Sequence, residues 1–134
     1  MNVIEVRERI RQRFAEHGNA AQIPLQRGRH FSAKMVPEGI RVDNLGNQPL
    51  LPWEVFQEAT CLLLRNGGYA SRGNAMNDRL GGRGLPVNSV EGHIAFTVYG
   101  KCVGDSVFRR VVPIAAILVW AGICRSTRGG VALR

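Results

Sequence analysis

Apolar side chains recur at three- and four-residue intervals in three stretches of the chain, and that spacing predicts three amphipathic helices. Over residues 2–17, Val3, Val6, Ile10 and Phe14 share a face, Glu5 stands four residues before Arg9, and Gly18 supplies a stop. Over residues 52–66, Pro52 suits the first helical position and Glu54 and Glu58 suit the positive N-terminal end. Trp53, Phe56, Ala59, Thr60, Leu63 and Leu64 form the inner face there, and Gly67-Gly68 ends the run. The third helix opens at Asp105 or Ser106 as cap and carries Val107, Phe108, Val111, Ile114, Ala115, Leu118 and Ala121 in one stripe up to Gly122. Pro113 lacks the N–H that would bond back to Arg109, so this helix either kinks there or begins near Val112.

Shorter β-type runs fall between these stretches. Phe31–Val36 and Ile40–Asp43 flank the turn Pro37-Glu38-Gly39, which predicts a hairpin, while residues 19–30 and 44–51 read as connections. A second hairpin is expected from Ile123-Cys124 and Val131-Ala132-Leu133 around the basic turn at 125–130, with Tyr69-Ala70 as a short strand. Ser71 can cap a short helix running to Asn77–Leu80, with Met76 and Leu80 inward and Arg72, Asn74, Asn77 and Arg79 outward. Residues 89–99 fit two periods: Val90, Ile94 and Val98 are spaced for a helix, whereas Ile94, Phe96 and Val98 alternate as in a strand.

The charge balance is more distinctive than the hydropathy. The 134 residues suit one domain, with or without a small appendage, and carry a net charge of +8 with an isoelectric point near 10.7. Only Lys34 and Lys101 of the 18 basic residues are lysines. An arginine excess suits two-pronged contact with phosphate or with the edge of guanine. Residues 71–134 hold nine basic groups against Asp78, Glu91 and Asp105, whereas residues 1–70 hold nine against seven acids. The excess therefore lies in the C-terminal half. Glu5, Glu8 and Glu16 offset three of Arg7, Arg9, Arg11 and Arg13, so the four read as a solvated helix face or a dimer contact ahead of the alternative, a DNA-binding arm.

The remaining chemistry is sparse. Cys61, Cys102 and Cys124 fit neither a zinc site nor a disulfide framework, and His17, His30 and His93 lack any paired metal spacing. No nucleophile elbow or phosphate-binding helix motif occurs, so neither catalysis nor a cofactor is expected, and no small-molecule ligand is evident. Gly81-Gly82-Arg83-Gly84 is a weak candidate for a phosphate-contacting loop. The charged opening lacks a secretory hydrophobic segment, and Val111–Cys124 is too short to span a bilayer, so a cytoplasmic protein is expected.

From Pro52 onward the order of elements resembles the winged-helix N-terminal domain of Mrr-type restriction endonucleases. The residues carrying the likeness are Gly67-Gly68, Ser89-Val90-Glu91, Gly104, Phe108-Arg109-Arg110, Ala121-Gly122-Ile123 and Arg128-Gly129-Val131. The resemblance decides residues 89–99 in favour of a helix. It implies an α+β, mainly helical fold, with a winged helix at about 52–134 and a helix-plus-hairpin appendage at 1–50. The chain also has the flavour of small proteins carried on bacterial mobile elements such as integron gene cassettes.

DNA binding without cleavage is what the likeness implies, since neither Lys34 nor Lys101 sits in an acid-x-lysine arrangement. The candidate contact residues are Arg72, Asn74, Arg79, Arg83, Lys101, Ser106, Arg109, Arg110, Arg125 and Arg128. Arg109 and Arg110 would enter the groove from the third helix, and Arg125 and Arg128 would grip backbone from the wing. The alternative is a protein-interaction module, a homodimer joined through Val111–Trp120 and the N-terminal helix.

Overall fold

The computed structural model describes residues 2–134, apart from the side chain of Val3. In chain order the elements are α1 (Val3–Ala15), β1 (Ala20–Pro24), β2 (His30–Val36), β3 (Gly39–Val42), β4 (Leu50–Pro52), α2 (Trp53–Arg65), β5 (Tyr69–Ser71), α3 (Val90–Thr97), α4 (Val111–Trp120), β6 (Cys124–Thr127) and β7 (Gly130–Leu133). Two antiparallel sheets result, one ordered β1-β2-β3-β4 and the other β5-β7-β6. The fold is thus α+β with substantial content of both kinds.

Both N-proximal helices form where their apolar stripes place them. Asn2 caps α1 by accepting the Glu5 N–H at 3.0 Å, and Val6, Ile10 and Phe14 are fully buried. The Val3 side chain, expected on the same face, lies outside the described residues. Pro52 stands just before α2 as its N-cap, and Val55, Phe56, Ala59, Leu62 and Leu63 are wholly enclosed.

The first sheet is larger than the predicted hairpin. Residues 19–30 and 44–51, expected to be connections, contribute β1 and β4 on either side of β2–β3. Ile23 is the only buried residue of β1, and β4 has three residues, so neither offers a two-residue period long enough to detect. Arg27 and Gly28 take positive φ values of 60° and 71°, and the Arg29 N–H donates to the Gln26 carbonyl. That is the geometry of a type I′ turn, whose twist matches the strands it joins.

Ser89 caps α3 by accepting the Gly92 N–H at 3.1 Å, which settles residues 90–97 as helix. Phe96, the residue that lent this stretch its alternation, is 52% exposed. Gly92 abuts the Pro86 carbonyl so closely that no Cβ fits. By contrast, no helix forms over 74–80. Gly73 has a φ of 82°, Asn74 closes a turn by accepting the Met76 N–H, and Met76, expected inward, is 70% exposed.

The third predicted helix starts late. Residues 105–110 are not helical, and α4 begins at Val111. Asp105 accepts the Cys102 N–H at 2.8 Å instead of capping a helix. Pro113 is the third residue of α4, where an N–H would have no partner within the helix, so the helix tolerates it.

One hydrophobic core joins Phe14, Ile23, Phe31, Ile40 and Leu51 to Phe56, Leu63, Ile114, Leu118 and Val131. Residues 2–50 and 51–134 therefore share a single interior, and Leu51 pairs with Ile40 across that boundary. Among the described residues no helix is long and apolar enough to cross a membrane.

Candidate functional site

Helix α4 packs against β1 of the N-terminal β1–β2 hairpin and against β6 of the C-terminal β6–β7 hairpin. Its sequence, VVPIAAILVW, buries Val111, Ile114, Ala115, Ile117 and Leu118, leaving Val112, Ala116, Val119 and Trp120 partly exposed. Apart from the Trp120 indole, the helix carries no polar side chain. Its outer face therefore has almost nothing with which to read base edges.

That face is the floor of a groove of about 650 Å³. Pro24, Leu25, Gln26 and Arg29, at the end of the β1–β2 hairpin, line one part, and Ser126–Gly129 of the β6–β7 hairpin line another. Arg72 and Arg109 also line it, so four arginines, Arg29, Arg72, Arg109 and Arg128, surround the apolar floor. Among the described residues no acidic side chain lines the groove.

Arg72 is held in place. Its N–H donates to the Gly129 carbonyl at 3.0 Å, its carbonyl accepts the Glu91 N–H at 2.9 Å, and its guanidinium donates to Ser126 Oγ at 2.9 Å. Burial lowers its pKa from the ordinary value, yet a guanidinium stays charged at neutral pH. Arg109 and Arg128 are exposed.

Arg110 does not join them. It is 7% exposed, its guanidinium stacks 3.6 Å above the Tyr99 ring and 4.8 Å from that of Phe108, and it donates to Gln48 Oε1 at 2.6 Å. Expected at a DNA surface, Arg110 instead ties the 98–110 segment to the loop before β4. Arg110→Ala is therefore expected to cost about 2 kcal/mol in urea denaturation, with Arg110→Lys recovering little because an ammonium neither stacks nor forks as a guanidinium does.

Glu91 explains where α4 starts. Its carboxylate, 1% exposed, accepts the Arg110 N–H at 2.9 and 3.0 Å and the Val111 N–H at 2.7 Å. A side chain of α3 thus caps α4 across 20 residues of sequence. Burial raises the Glu91 pKa, and the two N–H groups, then Arg110 and Arg109, counter only part of that rise.

The other sequence candidates disperse. Arg79 donates to the Gly104 carbonyl at 3.2 Å, and Asn74 is spent on its turn. Arg83 is exposed on a glycine loop that closes around Asp78, where added Cβ atoms at Gly82 or Gly84 would meet that carboxylate. A loop built around an acid is poorly suited to phosphate. The Lys101 N–H bonds the Ala95 carbonyl of α3, and Ser106 is exposed before α4. Arg125 precedes Ser126 on β6, so strand alternation turns it away from the groove. Arg29, which sequence reasoning passed over, enters the site through the type I′ turn; its sequence signal was an arginine-glycine-arginine run between polar residues.

Part of the expected dimer seam is used within the chain, where the Trp120 end of α4 meets α1. Trp120 meets Phe14 edge-on at 4.8 Å, and Arg13 lies 4.6 Å from its ring while donating to the Trp120 carbonyl. His93 pairs with Glu58 at 2.9 Å, linking α3 to α2. Burial raises the thiol pKa values of Cys61 and Cys124, the latter to about 12, which disfavours their thiolate forms. Among the described residues no three His, Cys, Asp or Glu side chains gather where they could hold a metal ion. No family model, curated protein or solved structure matches this chain.

Proposed function

We propose that residues 52–134 are built as a winged helix and that the protein binds duplex DNA without cleaving it, through phosphates rather than bases. The order α2, β5, α3, α4, β6, β7, with β7 central in its sheet, supports the first part. The observation that carries the second is the gathering of Arg29, Arg72, Arg109 and Arg128 at one groove with no lining acid among the described residues. Phosphate contact needs only such a positive surface, and the net charge of +8 adds a long-range attraction.

This reading departs from base recognition by the central helix. An α4 whose outer face offers only the Trp120 indole N–H for hydrogen bonding has little means to distinguish base pairs, and Arg110 is committed to Tyr99 and Gln48. Two labelled 20-base-pair duplexes of unrelated sequence are therefore expected to bind with affinities within about threefold of each other in anisotropy titrations. Discrimination of about a hundredfold between them would contradict phosphate-directed binding, and no binding at low salt would end the DNA reading.

A further inference from the structure

We propose that the groove over α4 is also a binding site for a small amphipathic organic anion, a carboxylate or sulfonate on an apolar body the size of a medium acyl chain or a fused aromatic ring. The inference shares arginines with the duplex reading but stands without it, because it rests on the groove floor.

Three features select this class of ligand. The first is size: about 650 Å³ lies within the range of roughly 300–1,000 Å³ typical of small-molecule sites. The second is the floor. Val112, Ala116 and Val119 give it an apolar surface at the base of a concavity, which phosphates at the rim would leave in water. A hydrocarbon or aromatic body laid on it is stabilised in proportion to the apolar area it removes from water. The third is charge. Arg72 is preset by its bonds to Ser126 and Gly129, and Arg109 and Arg128 add positive charge with no lining acid among the described residues to offset it. A cation or a neutral ligand would use only half of this arrangement.

A small anion suits the groove better than a protein helix, because residues of two hairpins and four arginines line its volume of about 650 Å³. A duplex and the small anion would compete, since both call on Arg72, Arg109 and Arg128.

The test is a fluorescence titration of the whole chain with 1-anilinonaphthalene-8-sulfonate, run beside the uncharged N-phenyl-1-naphthylamine. The expected result is saturable binding of one sulfonate probe, at least about tenfold tighter than its neutral counterpart. Dodecanoate should displace it and dodecylamine should not. Ala116→Trp, which fills the floor, and Val112→Glu, which places a negative charge there, should each weaken the sulfonate by about tenfold or more. Either variant serves alone if the other loses its far-ultraviolet circular dichroism. Arg109→Met should weaken the sulfonate and leave the neutral probe unchanged. Equal affinity for the two probes, binding indifferent to both floor variants, or displacement by a duplex but not by dodecanoate would each overturn the proposal.

Discussion

Glu91→Ala is expected to remove about 3 kcal/mol of stability, because it strips two buried N–H groups of their shared acceptor. The Arg110 and Val111 N–H groups open α4 within a buried setting, so water cannot readily replace the carboxylate that holds them at 2.7–3.0 Å. Loss of the cap should also release residues 105–110 and with them the position of Arg109 on the groove. Glu91→Gln keeps one acceptor oxygen and is expected to lose about half as much.

The pH dependence gives an independent reading of the same residue. Burial raises the folded-state pKa of Glu91, so the folded protein holds this proton more tightly than the unfolded chain does. Its contribution is fully present below the ordinary glutamate value of about 4.3 and declines as pH rises through the raised folded value. Glu91→Gln lacks that decline. Urea denaturation from acid to neutral pH should therefore show the stability difference between wild type and Glu91→Gln moving in the variant's favour as pH rises. A difference independent of pH would refute the assigned role of burial.

The second large effect concerns binding. Arg109→Glu combined with Arg128→Glu is expected to weaken duplex affinity by at least about a hundredfold at low salt, roughly tenfold for each reversed charge. Both residues are exposed and both line the groove, so the thermal midpoint should barely move. Arg110→Glu would behave differently, losing binding and fold together, because an acid there would forfeit the stack on Tyr99 and the bond to Gln48 and remove a positive charge that favours the Glu91 carboxylate. The contrast separates an arginine used for contact from its neighbour used for construction.

What the sequence disclosed follows the strength of each local signal. Helices α1 and α2 carry long stripes and explicit stops, and the β2–β3 and β6–β7 hairpins have Gly-containing turns between apolar runs, so all four were legible. Strands β1 and β4 were not, because one buries a single residue and the other is three residues long. The start of α4 was misplaced for a different reason. Asp105 and Ser106 are good local caps, but the cap actually used comes from Glu91 on another helix, and no window of sequence contains that contact. The same limit governs the site. Charge counting pointed to the C-terminal half, yet only folding shows that Arg72, Arg109 and Arg128 meet Arg29 from the N-terminal hairpin while Arg110 turns inward.

Salt dependence of duplex binding decides whether the groove arginines meet phosphate. The logarithm of the association constant is measured against the logarithm of salt concentration for the wild type and for a variant with Arg29, Arg72, Arg109 and Arg128 all changed to glutamine. Each arginine that meets a phosphate adds about 0.9 to the slope, so the variant's slope should be shallower by about three to four. A wild type and a variant with the same slope would show that duplex binding, wherever it occurs, does not use this groove.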